Sequence, residues 1–226
     1  MNKELNSLKS LDVYENARLP PGKRAIRCKW IYKLKTGVDG KISHKARLVA
    51  QGFDQSPTDY DEVFAPSLKA TTLRAALVWA ARMKYKINHL DVETAYLHAP
   101  LQHTIYLKKP LGYNTDEKTD CWKLKKSLYG LKQSGYEWNQ CIVNELTRLG
   151  FVAGMADPCL FRKECDSEIS LLLLFTDDIA LITKTDKETT DIISQLERKF
   201  KLKNLGEIKQ YLALKIDKTR GGYKIS

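Results

Sequence analysis

The chain has 226 residues, 43% of them hydrophobic, enough for one sizeable core or two small ones. Its 38 Lys and Arg outnumber 27 Asp and Glu, giving a formal charge of +11, and a polyanion such as nucleic acid is the expected partner class. Five cysteines (Cys28, Cys121, Cys141, Cys159, Cys165) are odd in number and lack C-x-x-C spacing, which argues against a zinc site and a disulfide framework. Residues 1–5 lack the apolar core of a secretory signal, and no run approaches membrane-spanning length. The expected location is therefore intracellular, cytoplasmic or nuclear, not secreted, with no membrane partner.

In chain order, residues 26–34 and 42–51 read as two strands joined through Gly37-Val38-Asp39-Gly40, a strong hairpin-turn signal. Nine basic residues (Lys23, Arg24, Arg27, Lys29, Lys33, Lys35, Lys41, Lys45, Arg47) and one acid, Asp39, fall within 22–50. This hairpin is expected to project as a basic lobe over its partner; a solvated basic face without a ligand is the weaker alternative. Residues 54–66 read as loop. Ser67 is positioned to cap a helix over about 69–84, with Leu73, Leu77, Ala80 and Ala81 on one face. A short strand over 87–92 ends at Asp91, and a helical turn over 93–97 follows, closed by Pro100. Ile105-Tyr106-Leu107 and Cys121-Trp122-Lys123-Leu124 are short strand candidates. Ser134 and Glu137 have capping-box spacing and open a helix to about Leu149, with Gly150 as its stop. Asp186 is expected to cap a helix through Phe200, and a last strand pair covers about 211–217 and 223–225, joined through Gly221-Gly222.

Two adjacent acids, Asp177 and Asp178, interrupt the apolar run 169–182. The flanks read as two buried strands, so the pair falls at a hairpin tip. Neighbouring carboxylates repel each other and cost desolvation unless a positive partner sits there, and a divalent metal is one such partner. A solvated Asp-Asp turn is the plain alternative. Asp91, at the end of its own strand, is a third acid in a matching context. Oxygen-only ligation suits Mg²⁺ or Mn²⁺, and two such ions stabilise the attacking and leaving oxygens of an in-line phosphoryl displacement. From residue 87 onward, with about 101–126 set aside as an insertion, the element order is β-α-β-β-α-β. This is an α+β fold: a ferredoxin-like antiparallel sheet with helices on one face and acids on the open face, the form of a polymerase palm. It would bring Asp91 and Asp177 together across 86 residues of sequence.

Six segments then fall in one order: Cys28-Lys29-Trp30-Ile31-Tyr32-Lys33-Leu34-Lys35, Lys45-Ala46-Arg47-Leu48-Val49-Ala50-Gln51-Gly52-Phe53, Asp59-Tyr60-Asp61-Glu62-Val63-Phe64-Ala65-Pro66, Leu90-Asp91-Val92-Glu93-Thr94-Ala95-Tyr96-Leu97, Leu128-Tyr129-Gly130-Leu131-Lys132-Gln133 and Phe175-Thr176-Asp177-Asp178. In this set the chain resembles the reverse transcriptase of copia-type (Ty1/copia) long-terminal-repeat retrotransposons, the fingers and palm region of a Pol polyprotein, from about Leu19 onward. The resemblance implies an RNA-directed and DNA-directed DNA polymerase that extends a primer with dNTPs by two-metal nucleotidyl transfer. It implies two Mg²⁺ ions, with Mn²⁺ as a substitute, a primed RNA or DNA template, and the rest of Pol as a further partner. It also implies a layout: an N-terminal extension over 1–18, fingers over 19–86, palm over 87–203 and a primer-grip-like hairpin over 204–226, with thumb and ribonuclease H absent.

By the same resemblance, Asp91, Asp177 and Asp178 are the metal-binding acids, Asp91 and Asp177 as direct ligands and Asp178 in support. Tyr96, five residues after Asp91, matches a steric gate against a 2′-hydroxyl, with ordinary packing as the alternative. Val92 joins the nucleotide-binding set. Lys45 or Arg47 would hold the triphosphate, Lys as a point charge and Arg as a fork. Tyr129 and Gly130, within 128–133, would shape the floor beneath the incoming base; the alternative there is a simple turn. Tyr211, Leu212 and Ala213 match the primer grip. The chain departs from the family's pattern at Phe175-Thr176 (usually Tyr-Val), His98-Ala99 (Asn-Gly) and Ser134-Gly135-Tyr136 (Ala-Pro-Arg). The alternative function is therefore a catalytically decayed nucleic-acid-binding remnant of the same fold, and a metal-dependent nuclease ranks third.

Overall fold

The computed structural model describes residues 1–36, 42–113, 119–165, 168–212, 214–219 and 222–226. The expected turn at Gly37-Val38-Asp39-Gly40 and the junction residue Gly221 lie outside them. Along the chain the elements are α1 (Asn2–Ser10), β1 (Tyr14–Ala17), β2 (Ala25–Ile26), β3 (Cys28–Thr36), β4 (Ile42–Ala50), α2 (Ala70–Arg82), β5 (Lys86–Val92), β6 (Pro100–Lys108), β7 (Cys121–Lys126) and α3 (Ser134–Arg148). They continue with β8 (Val152–Ala153), β9 (Leu160–Cys165), β10 (Glu168–Phe175), β11 (Asp178–Thr183), α4 (Asp186–Glu197), β12 (Leu202–Glu207), β13 (Gln210–Tyr211), β14 (Leu214–Thr219) and β15 (Gly222–Ile225). The fold is mixed α+β, and the chain divides into two compact units, Met1–Phe64 with Tyr96–Cys141 and Ala65–Ala95 with Ile142–Ser226.

In the first unit, β1, β7, β6 and β2 form one sheet in that order, and β3 pairs with β4 as an antiparallel hairpin. Residues 1–18, read from sequence as an extension, contribute to this unit's core: Leu8 and Val13 are buried with Leu48, Leu107, Trp122 and Leu124. Tyr14 stacks on Trp122 with ring centroids 3.7 Å apart, a pairing that adds about 1 kcal/mol to the area it buries. The hairpin root sits in this core through Leu48 and Ala50, while Tyr32, Leu34 and Ile42 farther out are exposed.

The second unit is built on a six-stranded sheet in the order β12-β5-β11-β10-β9-β8, with every pairing antiparallel. Alternation divides its residues between two faces. One face carries Leu172, Leu174, Ile179 and Leu181, and α4 covers it: the Thr183 and Thr189 hydroxyls meet, as do those of Ser170 and the Glu188 carboxylate. The other face carries Ile87, Leu173, Ala180 and Ile182, which share a core with Leu73, Leu77 and Ala80 of α2 and with Tyr211 and Ile216 of the small sheet β13-β14-β15. Apolar residues of both parities on β10 and β11 require cover on both sides, which α4 gives to one face and α2 with the small sheet to the other.

The helix ends also differ from expectation. Ser67 does not cap α2; the N-cap is Lys69, and the Asp157 carboxylate accepts from its backbone N–H at 3.0 Å. Thr185, not Asp186, caps α4 by accepting from the Glu188 N–H. At the start of α3 the Ser134 hydroxyl donates to the Leu128 carbonyl and the Glu137 carboxylate accepts from the Gln102 N–H. At the other end of α3, Gly150 takes φ +87° and the Phe151 N–H donates to the Leu146 carbonyl, a glycine stop as expected.

Candidate active site

The three acids belong to the second unit. β10 and β11 close on the pair Phe175↔Asp178, so Thr176 and Asp177 form a two-residue turn. Thr176 has φ +53°, a left-handed backbone that a β-branched residue adopts only under strain. In the pairing of β11 with β5, Asp178 stands directly opposite Asp91. Directly opposed residues point to the same face, with Cα atoms about 4.5–5.5 Å apart. Lys203 of β12 stands opposite Asp91 on the other side, so a cationic side chain completes the row. Asp177 is fixed through its backbone: its carbonyl accepts from the Val92 N–H at 2.8 Å. Asp178 is thus the acid in register with Asp91, and Asp177 sits at the turn beside it.

Asp178 has a partner that sequence reasoning missed. His89 Nε2 lies 2.9 Å from its Oδ1. His89 is two residues before Asp91 on the same strand and so shares its face; that parity was the available signal. The His89 ring meets the Tyr211 ring edge-on, with centroids 5.5 Å apart. The Tyr211 hydroxyl lies 3.1 Å from both the Leu173 and the Asp178 carbonyl oxygens. Burial pushes that hydroxyl well above the usual tyrosine range, with the Asp178 charge adding to the shift.

Tyr211 is 1% exposed, and its side chain supports the β10–β11 hairpin through the Leu173 and Asp178 carbonyls. Leu212 follows it with φ +51°, and Ala213 lies outside the described residues. Val92 is 1% exposed because alternation turns its side chain to the face opposite Asp91, leaving only its backbone at the acids.

The site's fit to Mg²⁺ follows from the donors. Among the described residues, no group of three or more His, Cys, Asp or Glu side chains is arranged to hold a metal ion. Mg²⁺ is commonly bound through one or two carboxylates, with water and substrate phosphates completing its shell. Asp91 and Asp178, two oxygen donors on one face, meet that need.

The remaining candidates belong to the first unit. Lys45 and Arg47 share a face of the β3–β4 hairpin, and Lys33 stands directly opposite Lys45. Like charges in direct opposition destabilise a sheet, so this face favours an anionic partner. The Arg47 guanidinium lies 4.5 Å above the Tyr129 ring, and the Tyr96 ring meets Tyr129 edge-on at 5.0 Å. The basic block is not all available to a partner: Arg27 makes a forked pair with Asp54 at 2.7 and 2.9 Å, and Arg24 lies 3.8 Å from the same carboxylate.

Segment 128–133 runs beside the end of β4. The Ala50 N–H donates to the Tyr129 carbonyl at 2.8 Å, and the Gly52 N–H to the Gly130 carbonyl at 3.1 Å. Gly130 has φ +90°, and a Cβ there would fall 2.2 Å from the Ala50 carbonyl oxygen. Buried amides fix the rest, with Gln55 Nε2 donating to Gln133 Oε1 at 2.9 Å and the Lys132 N–H to Gln55 Oε1 at 2.8 Å. More than a simple turn, the segment is bonded into the hairpin root.

Comparison with known proteins identifies the family. A family profile described as reverse transcriptase (RNA-dependent DNA polymerase) matches residues 11–226. The chain is 36% identical over 229 residues to the retrovirus-related Pol polyprotein from transposon TNT 1-94 of Nicotiana tabacum, covering 100% of this chain and 17% of that protein. It is 33% identical over 231 residues to the Pol polyprotein from transposon RE1 of Arabidopsis thaliana, covering 100% of this chain and 16% of the relative. It is 34% identical over 241 residues to the transposon Ty1-ER2 Gag-Pol polyprotein of Saccharomyces cerevisiae, covering 98% of this chain and 13% of the relative. The chain thus spans about a sixth or less of the length of these relatives. No helix among the described residues is long and apolar enough to cross a membrane. With a match from Leu11 to the last residue and these relatives covering nearly the whole chain, the protein belongs to the reverse transcriptase family, as a copia/Ty1-type retrotransposon Pol reverse-transcriptase domain.

Proposed function

We propose that this chain is the polymerising core of a reverse transcriptase, extending a primer on an RNA or DNA template with dNTPs. The observation that carries the reading is the direct opposition of Asp91 and Asp178 beside the strained Thr176-Asp177 turn. In this reading the six-stranded sheet is the palm, the β3–β4 hairpin belongs to the fingers, and residues 204–226 hold the primer strand. The order β12-β5-β11-β10, with α3 and α4 in the crossovers, supports the palm assignment.

Each residue then has a chemical task. Asp91 and Asp178 hold the cation through carboxylate oxygens, and Asp177 at the turn supports them. When bound, Mg²⁺ supplies charge that favours loss of the primer 3′-hydroxyl proton and stabilises the leaving pyrophosphate. Arg47, braced over Tyr129, grips triphosphate oxygens through its planar fork, and Lys45 adds a point charge. Tyr96, braced edge-on against the same ring, excludes a ribose 2′-hydroxyl. Gly130 keeps the floor segment close to the hairpin root. The remainder of Pol and a primed template are the proposed partners.

The test is incorporation of dNTPs on a primed RNA template with Mg²⁺ present and absent. Asp178→Asn is expected to lower incorporation about a thousandfold, corresponding to the several kcal/mol that metal-held charge supplies. Binding of primed template without incorporation would favour the decayed remnant. Cleavage of template without dNTPs would favour a nuclease.

A further inference from the structure

His89 has no assigned task in the polymerase reading, yet it stands within hydrogen-bond distance of one of the acids. Its Nε2 stands 2.9 Å from Asp178 Oδ1, with side-chain exposures of 15% and 34%. The register explains how it reaches. His89 opposes Ala180, a small residue, and Asp178 is the diagonal neighbour two positions away on the same face. Diagonal neighbours come within reach when one side chain is long and the intervening one is short. Tyr211 braces the ring edge-on, and the Tyr211 hydroxyl is itself held by backbone at Leu173 and Asp178. His89, Asp178 and Tyr211 line a cavity of about 410 Å³ that Phe175, Lys209 and Leu212 also border.

An ionised carboxylate only accepts hydrogen bonds, so the proton in this contact belongs to Nε2. One oxygen of Asp178 is thereby engaged, and the other is not used by His89. A braced ring also removes rotamer freedom from the carboxylate that a cation would otherwise have to freeze.

We propose that His89 is a positioning residue for Asp178, holding Oδ1 so that the carboxylate is ordered to bind a divalent cation through its second oxygen. This rests on the reading that Asp91 and Asp178 share a cation. Hydrogen-bond partners of metal ligands typically change affinity 10- to 100-fold when lost.

The probe is Mn²⁺ alone, titrated into the full 226-residue chain and followed by the electron paramagnetic resonance signal of the free ion. Four proteins are compared: wild type, His89→Leu, His89→Gln and Asp91→Asn. His89→Leu is expected to weaken Mn²⁺ binding about tenfold or more. His89→Gln keeps an N–H donor and is expected to recover most of the loss. Unchanged binding in Asp91→Asn overturns the underlying cation reading. Impaired binding in Asp91→Asn with unchanged binding in His89→Leu overturns the positioning role alone. Equal loss in the Leu and Gln variants overturns the hydrogen-bond account. A ¹⁵N-histidine spectrum of the wild-type chain needs no variant: the Nε2-protonated tautomer is expected at His89, and the Nδ1-protonated tautomer would overturn the proposal.

Discussion

Asp178 and Asp91 oppose each other across neighbouring strands of the second unit's sheet. Directly opposed like charges cost a sheet about 0.2–1 kcal/mol. Lys203 on the other side of Asp91 and His89 beside Asp178 offset part of that cost. Removing one charge should therefore stabilise the metal-free chain. Asp91→Asn is expected to raise its melting temperature slightly without Mg²⁺. Added Mg²⁺ is expected to raise the melting temperature of the wild type, because a ligand of the folded state stabilises it, and to leave the variant where it was. Calorimetry with and without Mg²⁺ checks both signs.

Glu4 of α1 is 7% exposed and accepts a hydrogen bond from the Leu48 N–H at 3.3 Å. Burial raises its pKa above the ordinary value of 4.5, against the opposing pull of that bond and of Arg47, Lys45 and the amino terminus. A raised carboxyl means that the folded chain binds the proton more tightly than the unfolded chain. Stability from this group is full below 4.5 and is lost as pH rises through the folded value. Glu4→Gln keeps an acceptor for Leu48 and has no charge to bury. Its melting temperature should exceed that of the wild type at pH 7, and the two should converge near pH 4. Thermal melts across that range test it, and a Gln variant less stable at pH 7 contradicts it.

Gly130 combines φ +90° with a backbone approach that a Cβ would close to 2.2 Å. Gly130→Ala is expected to cost about 2–4 kcal/mol from left-handed strain and the forced shift of β4. Because Tyr129 adjoins it beneath Arg47, dNTP affinity should fall with stability. Denaturant titration and a nucleotide KM measurement together check this.

Asp157 is 2% exposed and accepts from the N–H groups of Lys69 and Cys159, each at 3.0 Å. Burial raises its pKa, but bonds from Thr72, Lys69 and Cys159 outweigh that and hold it below the ordinary range. Asp157→Ala leaves the start of α2 uncapped and is expected to cost about 1–3 kcal/mol. Since the folded pKa is lowered, this stability is present above the ordinary aspartate value and is lost as pH falls through the folded one. The variant and the wild type should therefore draw together in acid.

Much of the fold was legible because local chemistry decided it. Apolar periodicity marked the α2, α3 and α4 helices, Gly150 marked a stop, and β-branched and aliphatic runs marked β10 and β11. The cap of α2 was not legible. Asp157 lies 88 residues from the N–H it accepts from, and no local pattern encodes such a partner. The candidate acids were visible as charges in apolar surroundings, but their alignment was not. One residue of register turns a side chain to the other face, and the two-residue turn at Thr176-Asp177 decides that Asp178 meets Asp91. His89 and Asp178, 89 residues apart, become partners only through that register.

The proposed palm site has Asp91 and Asp178 bind one divalent cation between them. Anomalous diffraction from crystals of the chain soaked in Mn²⁺ locates that cation. A Mn²⁺ peak is expected within ligand distance of a carboxylate oxygen from each of these residues. A peak elsewhere, or ordered carboxylates with no peak between them at saturating Mn²⁺, would contradict it.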